Sequence, residues 1–264
     1  MTNDNTVKFV DENSIKNKNG ASHNIRLHNL CYLHPMKTIG IVGGFTWLST
    51  VDYYRLLNQA VNKKFGGVTS AKIILSSVNF EEIKTLVEQY DWEGVADIVV
   101  PAAISIEQAG ADCIVLAANT PHKIADRVMR AIKVPLIHIG EATANAINAR
   151  GLTTVGLLGT KYTMQLDFYK NKLAERNIVA IVPDDNDVEY INNSIFLEMG
   201  KGIFLPSTKE RYLEIINKLI TRGAEGIILG CTEIPMLIKQ EDCTVAVFDT
   251  TAIHVEAILD FVLS

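Results

Sequence analysis

The sequence predicts an α/β protein with two pseudo-symmetric lobes, each a parallel sheet flanked by helices, and a site in the cleft between the lobes. The first observation is an internal repeat: a shift of 113 positions lays residues 110–120 over 223–233, and a shift of 116 lays 38–44 over 154–160. The second is the alternation of short apolar runs with helix-length segments, which is typical of parallel sheets. Because such sheets bind ligands where their strands end, we expect two sets of strand ends to face each other across a cleft.

Composition narrows the class of protein. The chain has 264 residues, of which 48% are apolar and 21% charged, and this is enough to bury a full core. Its net charge of −5 gives no basic excess, so we expect no nucleic-acid partner. No apolar run reaches the ~18 residues of a membrane span, the N-terminus lacks the apolar core of a signal peptide, and the four cysteines form no C-x-x-C pair. A reduced, cytoplasmic protein with no metal and no membrane contact is the simplest interpretation.

The chain is expected to divide into an extension and two lobes. Residues 1–35 are polar and lack periodicity, which predicts a disordered extension. Residues 36–138 plus 251–264 are expected to form the first α/β lobe. Residues 139–250 are expected to form the second.

Apolar runs and turn residues predict the elements of the first half in order. The predicted strands are residues 38–42, 72–78, 113–117 and 134–139. Capping residues predict helix starts at Ser49, Asn79 and Thr120. Pro101, inside the helical stretch 92–108, predicts a kink or a restart, because an interior proline costs about 3 kcal/mol.

The second half repeats the plan. The predicted strands are residues 154–158, 179–182, 226–229 and 245–248. A capping box from Ser207 to Glu210 predicts the start of a helix that ends at Gly223. The last predicted helix covers residues 251–263.

The stretch 226–235 runs from a buried strand directly into a polar corner. Gly230 allows a tight turn, and Thr232 is placed to cap the following helix. Cys231 therefore lies at the carboxyl end of a strand and near a helix N-terminus, where free N–H groups favour a thiolate. Two interpretations stay open, because a buried cysteine is usually an inert small hydrophobe. In the repeat, Ala118 falls on Cys231.

Five groups of residues carry a resemblance to a known family. They are 39–44 with Ser49, Thr50, Tyr53 and Tyr54; 119–120 with His122; 157–160 with Tyr162, Thr163, Met164, Phe168 and Tyr169; 230–233; and 248–250 with His254. Together they resemble the cofactor-independent aspartate/glutamate racemases over nearly all of the chain from residue 36 onwards. The resemblance implies an amino-acid racemase that needs no cofactor, a homodimer, and a last helix that packs back on the first lobe.

Members of that family place one cysteine just before the Asn-Thr pair and a second in the Gly-Cys-Thr-Glu corner, one on each side of the substrate α-carbon. This chain resembles them at Cys231 but has Ala118 at the first place. The resemblance makes Cys231 the catalytic acid or base, with Glu233 placed to orient or polarise it. Thr120 and His122 are the candidate catalytic residues that would relay a proton on the Ala118 side.

The candidate substrate-binding residues follow predicted strands. They are Gly44, Phe45, Asn79, Ala118, Asn119, Thr160, Thr163 and Thr232. N–H groups and hydroxyls at strand ends hold an α-carboxylate and disperse its developing charge. Asn79 has a second interpretation as a plain helix cap. We expect Cys231 to be an accessible thiol of low pKa and Cys113, inside a strand, to be inert.

Ala118 leaves several functions open. The chain is a racemase or epimerase in which another group or an ordered water supplies the second proton, a single-thiol lyase or isomerase, or a catalytically silent binder of a small carboxylate. The substrate is open as well. The acidic stretch 184–189 follows Pro183 where similar racemases have a lysine, and it is expected to repel a second carboxylate.

Overall fold

A computed structural model describes residues 36–264 of this protein, and the extension predicted for residues 1–35 lies outside the described residues. The strands are β1 (Ile39–Gly43), β2 (Ile73–Ser77), β3 (Cys113–Leu116), β4 (Thr154–Gly159), β5 (Val179–Ile181), β6 (Gly226–Gly230) and β7 (Ala246–Asp249). The α-helices are α1 (Trp47–Phe65), α2 (Phe80–Glu88), α3 (Trp92–Gln108), α4 (Ala125–Ala131), α5 (Ile139–Asn148), α6 (Lys161–Gln165), α7 (Asp167–Ala174), α8 (Asp185–Leu197), α9 (Pro206–Thr221), α10 (Ile234–Leu237) and α11 (Thr250–Val262). Short 3₁₀ helices cover Thr120–Ile124, Met199–Lys201 and Gln240–Asp242. Within this part of the chain, no helix combines the length and apolar character that a membrane span requires.

The strands form two parallel sheets. β1 lies at the centre of a three-stranded sheet, between β2 and β3. β4 lies between β5 and β6 in a four-stranded sheet, with β7 at its edge. β1, β3 and β6 are buried along their whole length, as expected for sheets covered by helices on both faces. The predicted α/β fold with two lobes is confirmed.

The two sheets repeat one local design. In the first, the Asp112 N–H donates to the Thr38 carbonyl at 2.8 Å, and the Thr38 N–H donates to Asp112 Oδ2 at 2.6 Å. In the second, the Glu225 N–H donates to the Thr154 carbonyl at 2.9 Å, and the Thr154 N–H donates to Glu225 Oε2 at 2.9 Å. The same acidic position of the repeat therefore anchors the start of the central strand in both lobes.

The helix starts predicted at Ser49 and Ser207 are wrong. α1 is capped by Thr46, whose Oγ1 accepts the Ser49 N–H at 3.1 Å, so Ser49 lies inside the first turn. α9 begins at Pro206, and its N-cap Leu205 makes no side-chain hydrogen bond. The fixed φ of proline suits the first helical position, so the helix starts ahead of the capping box predicted at Ser207.

Two further predictions about the first half differ from the structure. The strand predicted at 134–139 is reduced to a single bridge between Ile114 and Leu136, because α5 begins immediately afterwards. α3 is continuous through Pro101, so no restart occurs. Pro101 is exposed, and water can therefore pair the carbonyl that the proline leaves without a donor.

The last helix, α11, belongs to the core of the first sheet. It follows β7 directly, and Asp249 Oδ1 caps it by accepting the N–H groups of the next turn. Its buried Val255 and Ile258 form one cluster with Ile39 of β1 and Tyr53 of α1. The chain therefore leaves the second sheet and ends against the first.

Candidate active site

A cavity of about 290 Å³ lies where strands of both sheets end. Its lining includes two segments with the same place in the repeat, which we name the β3 corner (residues 118–120) and the β6 corner (residues 231–233). The other lining residues that follow strands are Phe45, Thr46, Trp47, Leu48, Ser49, Pro121, Thr160, Lys161, Tyr162 and Gly230. The structure thus brings both corners to one cavity.

The β6 corner holds a thiol and a carboxylate in direct contact. Cys231 Sγ donates a hydrogen bond to Glu233 Oε2 at 2.9 Å, and Thr232 Oγ1 donates to the same oxygen at 2.8 Å. Glu233 is only 5% exposed and is the N-cap of α10, without a side-chain capping bond. The prediction that Thr232 caps this helix is therefore wrong, because its hydroxyl is bound to Glu233.

The environment of Cys231 keeps its thiol protonated. Burial raises the pKa of Cys231 well above its usual range, and the charge of Glu233 raises it further, while the N–H groups of Glu233 and Thr232 act in the opposite direction. α10 has four residues, too few for a strong N-terminal dipole. The low pKa expected for Cys231 is therefore wrong. Cys113 is fully buried in β3, and burial raises its pKa to about 11.

In the β3 corner, Asn119 presents an unpaired acceptor. Thr250 Oγ1 donates its hydrogen to the Leu229 carbonyl at 3.0 Å and can only accept from Asn119, so Asn119 Nδ2 donates to it at 3.1 Å. Asn119 Oδ1 then has no hydrogen-bond partner within residues 36–264, although the residue is only 4% exposed and lines the cavity. A buried acceptor without a donor is costly, and a ligand N–H would satisfy it.

A chain of three hydroxyls joins the two halves of the cavity. Thr120 Oγ1 lies 3.1 Å from Thr160 Oγ1, which lies 3.3 Å from Thr163 Oγ1. Thr120 follows β3 and Thr160 follows β4, so the first of these bonds links the two lobes. Thr120 was expected to cap a helix, but the 3₁₀ helix there begins at Thr120 and uses no side-chain cap. Thr163 is fully buried and supports Thr160 without lining the cavity.

His122 lies behind the β3 corner and outside the lining. Its Nδ1–H donates to the Ala118 carbonyl at 2.9 Å, and its Nε2 accepts the Ile139 N–H at 3.3 Å. Burial lowers the pKa of His122 well below its usual range, and the neighbouring His138 and His254 lower it further. With both ring nitrogens bound, His122 has a structural place, and the structure does not support the proton relay expected of it.

Of three further predicted substrate contacts, two lie outside the lining and one lies within it. Gly44 has a φ of 89°, and its N–H donates to Thr50 Oγ1 at 2.8 Å, so this donor is already bound. Asn79 is exposed and outside the lining, and its Oδ1 accepts the Glu81 N–H at 3.2 Å as a helix cap. Phe45 does line the cavity and is buried.

α2 and α3 contribute an apolar part of the lining that the sequence analysis missed. Ile83 and Val87 of α2 and Val95 of α3 are buried, and Phe80 and Trp92 lie beside them in the lining. Ile83 and Val87 are four positions apart, which is also the spacing of an ordinary core face. Periodicity alone therefore could not have assigned them to a cavity.

The acidic stretch at the start of α8 lies outside the cavity. Asp184 caps α8, and Asp187 is 1% exposed, in ion pairs with Arg211 and, at 2.7 Å, with Lys218 Nζ. α8 contributes other residues to the lining, namely Asn192, Ile195 and Phe196. The structure does not support the expected repulsion of a second carboxylate by this stretch, because its buried charge is paired and none of its residues lines the cavity.

Comparison with known proteins agrees with the fold. The model of the Asp/Glu/Hydantoin racemase family matches residues 42–258. A putative Asp/Glu racemase from Yersinia pestis is 46% identical, with a TM-score of 0.82 over 87% of this chain and 100% of that chain. An aspartate racemase homologue from Pyrococcus horikoshii OT3 is 41% identical, with a TM-score of 0.77 over 87% of this chain and 100% of that chain. The broad specificity amino-acid racemase RacX of Bacillus subtilis (strain 168) is 24% identical over 162 residues, 61% of this chain and 70% of that protein.

The structure defines a two-lobed α/β protein with a cavity at the strand ends. The family model covers well over half of the sequence, and the chain therefore belongs to the Asp/Glu/hydantoin racemase family. The resemblance predicted from the motifs is confirmed.

Proposed function

We propose that this protein is a cofactor-independent amino-acid racemase or epimerase that transfers a proton at the α-carbon of its substrate through Cys231. The observation that carries the proposal is the Cys231–Glu233 pair, a thiol bonded at 2.9 Å to a buried carboxylate at the end of β6. Membership of the racemase family supports the reaction type.

Cys231 and Glu233 divide the proton chemistry between them. The thiol, whose pKa is raised, is an acid and can return a proton to an α-carbanion. In the opposite direction Glu233 accepts the thiol proton along the existing hydrogen bond, and the resulting thiolate removes the α-proton. A desolvated thiolate is a stronger base than one in water, which helps it to abstract a weakly acidic proton.

The β3 corner has the groups to orient an amino acid. Asn119 Oδ1 can accept an N–H of the substrate ammonium group, which would satisfy this buried oxygen. If Thr163 donates to Thr160 and Thr160 to Thr120, the hydroxyl hydrogen of Thr120 is left for the substrate carboxylate. Asn119 Oδ1 and the Thr120 hydroxyl belong to the β3 corner, on one side of the α-carbon. Cys231 belongs to the β6 corner.

A second candidate is a single-thiol lyase or isomerase. Two observations favour it: the β3 corner has only the methyl group of Ala118 where a second thiol would stand, and the resting Cys231 thiol is an acid. A reaction that forms the carbanion by losing another group, such as CO₂, needs only that acid.

Proton exchange in deuterated water separates these functions. A set of L- and D-amino acids is incubated with the protein, and loss of the α-proton by NMR is compared with inversion by chiral chromatography. We expect exchange for one enantiomer to be faster than inversion, because the face opposite Cys231 lacks an acid. Equal rates would show that another group supplies the second proton. Binding without exchange would contradict the proposal and indicate a silent carboxylate binder, while release of CO₂ from a malonate-type acid would favour the lyase.

Glu233→Gln tests the division of roles within the pair. Removing the carboxylate should lower the pKa of Cys231, because the charge that raises it is gone, yet exchange should slow because the proton acceptor is lost. The pH profile of iodoacetamide labelling, read by peptide mass, gives the first quantity, and deuterium uptake gives the second. Unchanged exchange in Glu233→Gln would remove Glu233 from the mechanism. The homodimer and the cytoplasmic location remain predictions, and sedimentation and fractionation would measure them.

A further inference from the structure

The lining of the cavity combines two chemically different parts. The β3 and β6 corners, with Thr160, supply its polar groups. α2 and α3 supply Phe80, Ile83, Val87, Trp92 and Val95, which have no polar atom except the indole N–H of Trp92. If the ammonium and carboxylate groups of an amino acid bind at the corners, its side chain contacts the apolar part of the lining.

An aromatic contact continues this apolar part across the cleft. Tyr162, which follows β4, is 5% exposed and meets the Trp92 ring edge to face, with 6.1 Å between the ring centroids. Tyr90 contacts the same Tyr162 ring at 5.8 Å. The side-chain part of the cavity is thus bounded by aromatic rings from both lobes, which favours aromatic and large aliphatic groups.

Of the two lysines of the lining, one is held in an ion pair and the other lies over an aromatic ring. Two lysines and two glutamates line the cavity. Lys84 Nζ is paired with Glu88 Oε1 at 3.0 Å, and Lys161 Nζ lies 5.2 Å from the centroid of the Tyr162 ring. Among the described lining residues there is no arginine, the side chain best suited to bidentate carboxylate recognition.

We propose that the substrate is an amino acid with a large apolar or aromatic side chain, or a carboxylic acid that carries such a side chain at carbon 2. The side chain lies against α2, α3 and Tyr162. This inference rests on the proposed function for the reaction, and it adds the substrate class. The cavity volume of about 290 Å³ suits one such molecule and little more. An aspartate or glutamate side chain would place a carboxylate among these apolar groups and lose its hydration there.

Tryptophan fluorescence gives a binding test that needs no turnover. The chain contains two tryptophans, Trp47 and Trp92, and both line the cavity. Titrations of L-phenylalanine, L-leucine, L-aspartate and L-glutamate are compared in the wild-type protein and in Cys231→Ala, which retains the apolar part of the lining but removes the thiol. We expect phenylalanine and leucine to bind at least about tenfold more tightly than the two dicarboxylates, since each buried methylene contributes a factor of several.

A variant within the apolar lining and a matched variant outside it make the test specific. Trp92→Ala should reduce phenylalanine binding at least about tenfold and leave aspartate binding nearly unchanged. Tyr54→Ala, which removes an exposed aromatic ring outside the lining, is the matched control and should preserve the preference. Because Trp92→Ala also removes a fluorophore, its titrations use calorimetry, and far-ultraviolet circular dichroism checks its fold.

The outcomes separate this inference from the proposed function. Exchange of the α-proton of phenylalanine or leucine, with the binding preference above, supports both. Tighter binding and faster exchange of aspartate or glutamate, lost in Lys161→Met, would overturn the substrate class and leave the proposed function standing. Preferential binding of phenylalanine with no exchange of any amino acid would support the apolar site and overturn the proposed reaction.

Discussion

The β3 and β6 corners share a position in the repeat and differ in chemistry. Each follows a buried parallel strand that pairs with the central strand of its sheet, and both line the same cavity. The β6 corner has a thiol bonded to a carboxylate, whereas the β3 corner has a methyl group followed by an amide with an unpaired oxygen. One corner is equipped to transfer protons and the other to hold a polar ligand.

The difference shows how a duplicated scaffold can keep its shape while its two sites diverge. The anchoring bonds of Asp112 and Glu225, which start the central strands, are the same in both lobes. The side chains beyond the strand ends take no part in these anchoring bonds, so they can vary without loss of the fold. Four experiments test the difference between the two corners, in order of decreasing effect.

Cys231→Ser should reduce α-proton exchange by about 10²–10⁴-fold, because it removes the acid and base that the β6 corner supplies. Deuterium uptake by NMR measures the loss. Cys243→Ser, which alters a partly buried thiol outside the lining, is the control and should retain the rate. Full exchange in Cys231→Ser would mean that the β6 corner is not the catalytic one.

Ala118→Cys should make the two corners alike and raise inversion toward the exchange rate by about a hundredfold, since a second thiol would face the substrate from the β3 side. The ratio of inversion to exchange is the measurement. Ala118→Ser adds a group of similar size but much lower acidity and should change the ratio far less. If Ala118→Cys leaves the ratio unaltered, the repeat does not place residue 118 opposite Cys231 across the α-carbon.

The free energy of unfolding should fall on acidification because of the buried histidines behind the β3 corner. Burial lowers the pKa of His254 to about 4 and that of His138 to about 3, so the folded protein keeps them neutral while the unfolded chain protonates them near pH 6.5. The folded protein is therefore most stable above pH ~6.5, and its free energy of unfolding falls as the pH drops below that value. His254 alone accounts for a loss of about 2 kcal/mol at pH 5.

Urea unfolding at pH 7, 6 and 5 measures this slope. His254→Gln should be less stable than wild type at pH 7 but should show a shallower loss on acidification. Asp249, whose pKa is raised by burial, stabilises the fold on acidification and partly offsets the loss. A flat wild-type stability between pH 7 and pH 5 would contradict the prediction.

Thr120→Val should have the smallest effect, because it removes one hydroxyl from the bond between the β3 corner and Thr160. A loss of about 1 kcal/mol, or roughly 2–4 °C in Tm, is expected. Thr120→Ser keeps the hydroxyl and should restore most of the stability. If Thr120→Val melts as wild type does, the hydroxyl contact between the lobes contributes nothing to stability.

The sequence predicted the seven strands of the two sheets, but not the reduction of 134–139 to a bridge, and it placed Cys231 at the end of β6. Apolar runs and the repeat carry that information directly. It could not predict on which side of the backbone a side chain lies. His122 follows the Asn-Thr pair closely but turns away from the cavity to the Ala118 carbonyl. Burial of Cys231 raises its pKa, and Glu233, which turns toward it, raises the pKa further, so the low pKa expected from a helix N-terminus is reversed.

For the substrate contacts too, the sequence did not show which partner each side chain binds. Asn119 was predicted from its motif, but its unpaired oxygen depends on Thr250, a residue 131 positions away in the chain. Asn79 also follows a strand, yet its amide caps α2. Ile83 and Val87 resemble any buried helix face, and only the packed structure shows that they border a cavity.

The position of α11 sets an order for folding during synthesis. The first lobe buries Val255, Ile258 and Val262 together with strands that are made more than a hundred residues earlier. While the second lobe is being translated, the first therefore lacks one wall of its core and exposes apolar surface. We expect the ribosome-bound chain to need protection until α11 has left the ribosome, and a chain truncated after residue 249 to aggregate.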